Sequence, residues 1–224
     1  MIRKLSSATK VIFIYLAIQI LPIPLVFLFP REQQIEASLN LTLLFSLIGT
    51  IWMLVVNHRK EWTPVTPLTK QPSAPLPTVF LWGILGFIGA IAIQIVTSMI
   101  EMLLFGIPSE SANTEYLLET TAQYPLLIFS IVVFAPVMEE LVFRKAIFTQ
   151  LHVSKVSVLG AAVISSLIFA LVHFDGHMLV YSTLGLWFCY LYNKTNNIYA
   201  PMLAHGLMNA YASLPIFFPQ LFGG

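Results

Sequence analysis

Seven apolar runs, each near the length needed to cross a lipid bilayer, constrain this chain more than any other feature. They cover approximately residues 11–30, 39–57, 78–106, 126–150, 157–175, 178–193 and 197–218. A hydrocarbon core about 30 Å thick is crossed by about 20 apolar residues in a helix. Composition agrees: 58% of the 224 residues are hydrophobic and 9% are charged, too few charges to clothe a soluble domain of this size. The expected fold is all-α, a polytopic transmembrane bundle of about seven helices around a polar cavity. The first run follows Arg3, Lys4 and Lys10 as a signal peptide would. It ends at LFPRE without a small-residue cleavage site, so it reads as a retained helix.

The cations orient the bundle. With the N-terminus inside, Arg3, Lys4, Lys10, Arg59, Lys60, Lys70, Arg144, Lys145, Lys155 and Lys194 fall on the cytoplasmic side and Arg31 alone outside. That distribution satisfies the positive-inside rule and predicts a multi-pass protein of the cell membrane with a cytoplasmic N-terminus. The segment 107–125, with Glu110, Glu115 and Glu119 and no cation, then lies outside. It is expected to be mainly a connecting loop, in which EYLLETTAQYP is the stretch able to form a short amphipathic piece. The net charge of +1 points away from nucleic acid. The single cysteine, Cys189, offers no disulfide or cysteine metal cluster and reads as a lipid-facing or packing residue.

Between the second and third runs lies HRKEWTPVTPLTKQPSAPLP, residues 58–77, with five prolines and four charges. It divides the chain into 1–77, two helices and a cytoplasmic loop, and 78–224, a five-helix block holding nearly every intramembrane polar group. Chemistry is expected in the second block.

There, FAPVMEELVFRKAIF places Glu139, Glu140, Arg144 and Lys145 inside a spanning run. Such charges are costly in a bilayer and usually face a bundle interior. Glu140 and Arg144 are four apart and share a helical face, so they can neutralise one another. Glu139 points about 100° away and has no helical partner. Lys145 is expected to snorkel to the cytoplasmic surface. The fifth run carries Phe169 and His173 one turn apart, with Asp175 and His177 just beyond as interfacial residues. The seventh carries His205 and Asn209, again on one face.

At 1.5 Å of rise per residue, Glu139 lies roughly 16 Å from the cytoplasmic end of its helix, His205 about 12 Å, Asn209 about 18 Å and His173 about 24 Å. All four fall in the middle portion of the core and can meet there. Three chemistries are open to such a group. In a hydrolase, Glu139 is the general base for a water held by His173, and His205 and Asn209 serve a tetrahedral oxyanion. In a zinc site, Glu139, His173 and His205 are the three ligands. In a transporter, the group relays protons or solute. The chain lacks HExxH, which weakens the second, and repeat symmetry, which weakens the third.

EELVFR at 139–144, FALVH at 169–173 and HGLMN at 205–209 match EExxxR, FxxxH and HxxxN in order. In these motifs the chain resembles the CPBP family, the CAAX proteases and bacteriocin-processing enzymes also called the Abi family. The resemblance covers roughly residues 78–218 and leaves the first two helices aside. It implies a metal-independent glutamic intramembrane endopeptidase with no cofactor. Glu139 and His173 would activate water, His205 and Asn209 would form the oxyanion site, and Glu140, Arg144 and Phe169 would support it. Eukaryotic members resemble an eight-helix bundle where seven runs are counted here. Bacterial relatives are linked to bacteriocin leader processing, self-immunity and maturation of signalling peptides, so a prenylated substrate is not implied. The expected partners are a peptide or membrane-associated protein substrate and the lipid bilayer, with the site opening toward the cytoplasm. A zinc metalloprotease and a non-catalytic membrane scaffold are the alternatives.

Overall fold

The computed structural model describes residues 6–58, 72–108, 111–173, 175–218 and 220. Arg3, Lys4, Arg59, Lys60, Lys70, Glu110 and most of the 58–77 segment lie outside the described residues.

Helix α1, Ser7–Ile20, starts where the Ser6 hydroxyl accepts a hydrogen bond from the Thr9 amide at 3.2 Å. Pro22 and Pro24 then tighten the chain into the short α2, Pro22–Val26. A 3₁₀ turn, Arg31–Gln33, leads into α3, Gln34–His58. Helix α4, Leu76–Phe105, is 30 residues long, roughly 45 Å at 1.5 Å per residue, so it overreaches the hydrocarbon core. It stops at Gly106, whose φ of 68° is a conformation glycine adopts without steric cost and which lets Ile107 N–H return to the Glu101 carbonyl.

The connecting segment then forms a helix of its own, α5, Ala112–Gln123, a larger element than the loop expected there. Its nucleus is the Ser111 hydroxyl, which accepts from the Thr114 amide at 3.1 Å. Helix α6 runs Pro125–Val153. Three shorter helices follow: α7, Val158–Leu171; α8, Met178–Thr195; and α9, Tyr199–Ala212, with a final turn, α10, Leu214–Phe217. Among the described residues, four stretches are long and apolar enough to cross a membrane: Ser7–Val26, Arg31–His58, Leu76–Phe105 and Pro125–Val153. The seven apolar runs thus correspond to seven helical segments, and the architecture is an all-α membrane bundle.

Polarity is distributed as lipid demands. Phe13, Phe27, Trp52, Phe80 and Leu104 are exposed, whereas Glu101, Glu140, Arg144 and His205 are buried. One continuous core joins Val11 and Ile14 of α1 and Met53 of α3 to Leu141, Phe143 and Phe148 of α6, Phe169 of α7 and Cys189 of α8. Cys189 is therefore a packing residue, and the two N-terminal helices pack directly on the helix that carries the glutamates.

The bundle has two unlike ends. At one, Lys145 Nζ donates to Asn57 Oδ1, the Asn197 amide donates to the Ala74 carbonyl at 3.2 Å, and Lys194 lies over the Trp82 ring. Lys145 does not simply snorkel: it ties α6 to the end of α3. At the other end, the start of α5, the end of α4 and the start of α8 converge. Among the described cations other than the buried Arg144, Lys10, Lys145, Lys155 and Lys194 belong to the first end and Arg31 to the second.

Candidate active site

Helix α6 is not a regular α-helix. Ser130–Phe134 and Glu140–Phe148 are π-helical, with one α-helical turn, Ala135–Glu139, between them. The π ladder bonds residue i to i+5, and Ala135 N–H accordingly reaches Ser130 O. The next donor in that ladder would be residue 136, which is proline and has none. The carbonyl left open is that of Ile131, and the Asn209 side-chain amide fills it at 2.9 Å. Beside it, the Val132 carbonyl faces Gly206 so closely that a Cβ on that glycine would lie 2.9 Å away. Pro136 therefore opens the Ile131 carbonyl, and α9 docks there through Asn209, with Gly206 against the Val132 carbonyl. Freed backbone groups in membrane helices are re-satisfied by neighbours in this way.

That docking brings His205 to the glutamates. Its Nδ1 lies 2.9 Å from Glu140 Oε1, and Arg144 Nη1 lies 3.2 Å from the same oxygen. Glu140 and Arg144 are both wholly buried. The Glu140 carboxylate fixes a proton on Nδ1, so Nε2 points the other way, to Glu139 Oε2 at 3.8 Å. That distance is too long for a direct hydrogen bond. It is short enough for both groups to reach one oxygen between them. Glu139 keeps 15% of its side chain accessible while Glu140 keeps none, so the two adjacent carboxylates have different environments.

Phe169 joins the remaining members. Its ring sits 4.4 Å from the Arg144 guanidinium carbon, which Phe188 and Phe143 also flank at 5.2 and 5.9 Å. Aromatic faces of this kind attract a buried cation. The same ring meets His173 edge-on at 4.6 Å and His205 at 6.1 Å. His173 Nδ1 bonds the Phe169 carbonyl at 2.8 Å, which leaves Nε2 for other work. Its ring is stacked on Tyr181 at 3.8 Å. Asn209, with one amide proton on Ile131, retains a second.

The motif residues thus gather around one aromatic hub, although they come from three helices and the loop after α7. Glu139, Glu140, Arg144 and His205 are in direct contact, whereas His173 joins through Phe169 and Asn209 through the backbone of α6. Several residues have no place in the motifs. Tyr15 of α1 packs edge-on against Phe143 at 6.2 Å. Glu101, also wholly interior, accepts from the Leu179 and Val180 amides at 2.6 and 3.2 Å and pairs with His177 Nδ1 at 2.8 Å. His177, expected at the interface, is buried. Among the described residues, no group of three His, Cys, Asp or Glu side chains is arranged to hold a metal ion.

The fold is an all-α membrane bundle in which a buried carboxylate–imidazole–guanidinium group lies beside a second, accessible carboxylate. Comparison with known proteins gives the family. Residues 121–211 match the family described as type II CAAX prenyl endopeptidase Rce1-like, a stretch that contains all three motifs. The chain is 32% identical over 211 residues to YdiL of Bacillus subtilis, named as a candidate membrane peptidase; the alignment covers 90% of this chain and 85% of YdiL. It is 30% identical over 219 residues to MroQ of Staphylococcus aureus, named as a membrane-embedded CAAX protease, covering 93% of this chain and 88% of MroQ. No solved structure matches. The chain belongs to the CPBP family of CAAX-type membrane proteases.

Proposed function

We propose that this protein is a metal-independent intramembrane endopeptidase of the glutamic type, with Glu139 as its general base. The observation that carries this reading is the division of labour between adjacent carboxylates. Glu140 is held by Arg144 and His205, while Glu139 faces the free Nε2 of His205 across 3.8 Å. Glu139 takes a proton from a water that His173 also contacts, and the resulting hydroxide attacks a peptide carbonyl. His205 in its doubly protonated form, held by Glu140 through Nδ1–H and donating from Nε2–H, and the second amide proton of Asn209 meet the oxyanion that develops. The proton held by Glu139 then passes to the leaving amine, and the peptide bond is broken by the net addition of one water.

The substrate in this reading is a peptide or membrane-associated protein, in leader- or signalling-peptide processing or in self-immunity. The protein lies in the cell membrane as a multi-pass bundle with a cytoplasmic N-terminus. His173 then falls toward the outer end, beside α5, so we place substrate access on that side instead of on the cytoplasmic side.

The test begins in cells. A peptide that accumulates uncut in a strain carrying Glu139→Gln, and not in one carrying the native chain, identifies the substrate. Purified protein in lipid vesicles should cleave that peptide in the presence of chelator, and Glu139→Gln should not. Loss of cleavage on chelation with recovery on adding zinc would replace this reading with the metalloprotease. Full biological function in the Glu139→Gln strain would replace it with a scaffold.

A further inference from the structure

The two imidazoles of the site are held differently. His205 is fixed by a buried carboxylate at Nδ1. His173 stands on the loop after α7, half-buried, where among the described residues the Phe169 carbonyl meets its Nδ1. A single such bond leaves the ring free to turn about the line of the bond, and a misplacement of about 1 Å in a catalytic group can cost about a hundredfold in rate. Something else has to hold the ring plane.

The geometry points to Tyr181 as a positioning residue for His173, clamped in turn by Asp175 and Ser111. The phenol ring lies against the imidazole at a centroid distance of 3.8 Å and 24° between planes, while Phe169 meets the imidazole at a steep angle at 4.6 Å and lies 6.3 Å from the phenol ring. The Tyr181 hydroxyl donates to Asp175 Oδ2 at 2.8 Å, and the Ser111 hydroxyl donates to the same oxygen at 2.6 Å. Asp175 Oδ1 accepts the His177 amide at 3.2 Å, so the carboxylate is itself immobilised. Tyr181 sits in the first turn of α8, which Glu101 pins to α4 through the Leu179 and Val180 amides. A rigid helix end therefore carries the plate on which the imidazole rests. Because Ser111 caps α5, the clamp also links that surface helix to the catalytic ring.

This inference rests on the role given to His173 above, and the experiment separates the two. The probe is the peptide trapped by Glu139→Gln, synthesised with a fluorophore and a quencher and presented to vesicles of the purified full chain. His173→Ala should abolish cleavage. Tyr181→Leu should lower kcat by between about tenfold and a hundredfold with KM unchanged. Tyr181→Phe keeps the plate and loses one hydrogen bond, so it should restore most of the rate and remain about fivefold below the native chain. In an Asp175→Ala background, Tyr181→Phe should cost nothing further, because both changes break the same contact. The aromatic ring current on the His173 imidazole proton, followed by NMR in micelles, should persist in Tyr181→Phe and fall in Tyr181→Leu to the part that Phe169 supplies, which checks that each variant is folded and that the stack is the feature removed.

A kcat for Tyr181→Leu within twofold of the native value, with His173→Ala inactive, would overturn the positioning role alone. An effect confined to KM would overturn it as well and make Tyr181 a substrate contact. Full cleavage by His173→Ala would remove the role of His173 and this inference with it.

Discussion

Glu139 and Glu140 are neighbours in sequence with opposite demands on them, and substitution should tell them apart. Removing Glu140 leaves the Arg144 guanidinium buried beside aromatic rings with no counter-charge. Breaking one half of a buried pair costs about 3–5 kcal/mol, whereas replacing both halves with apolar groups is often nearly neutral. Thermal unfolding in detergent should therefore show a large loss for Glu140→Ala and a much smaller one for Glu140→Leu combined with Arg144→Leu. Glu139→Gln, which breaks no direct hydrogen bond, should unfold within about 1 kcal/mol of the native chain. Equal losses for all three would mean that the two carboxylates share one structural job. At this scale the sequence was informative. The four-residue spacing of Glu140 and Arg144 was enough to pair them and to single out Glu139. It did not show that His205, 65 residues away, shares Oε1 of Glu140, because no spacing rule connects residues on different helices. Glu101 did leave a signal, a lone charge in a 30-residue apolar helix, and the same argument that drew attention to Glu139 applies to it.

Helix α6 shows how an element can depend on an absent donor. Pro136 opens the Ile131 carbonyl, and Asn209 closes it. Asn209→Ala should destabilise the native chain by about 1 kcal/mol in denaturant unfolding, and by clearly less in Pro136→Ala, where residue 136 can bond that carbonyl itself. Equal penalties in the two backgrounds would show that the proline and the asparagine are not coupled. Gly206→Ala places a methyl group against the Val132 carbonyl, a backbone atom that cannot step aside. It should separate α9 from α6 and lower peptide cleavage at least tenfold while the protein still purifies as a folded species. Small residues at such crossings let membrane helices approach closely. Helix placement was legible throughout, since apolar length is a strong signal. The π-helical winding of α6 was not, because a run apolar on every side gives no stripe from which to read a period. α5 was read only in part, as a short amphipathic piece within a loop, because its apolar residues are few and what starts it is the hydroxyl of Ser111.

For the whole molecule, the arrangement of cations predicts which end faces the cytoplasm. Cys189 is buried, so it supplies little background for thiol labelling. A cysteine at Glu115, exposed on α5, should react with an impermeant maleimide on intact cells, and one at Ser154, exposed beyond α6, only after permeabilisation. The reverse pattern would invert the topology and return access to the cytoplasmic side. The seven apolar runs and the charge count were enough to frame this prediction. They could not show that α1 lines the core beside Phe143, since apolar faces that meet lipid and those that meet protein look alike in sequence.

Glu101 gives the bundle a schedule as well as a fastening. Its partners begin with His177, 76 residues further along the chain. At about 5–20 residues per second, synthesis takes roughly 4 to 15 s to deliver them. Throughout that interval α4 has emerged with an acidic end and nothing to receive it, so the nascent helix must keep that end at the water interface and wait. The arrival of α8 is therefore the earliest point at which this end of the bundle can close around the Glu101 carboxylate.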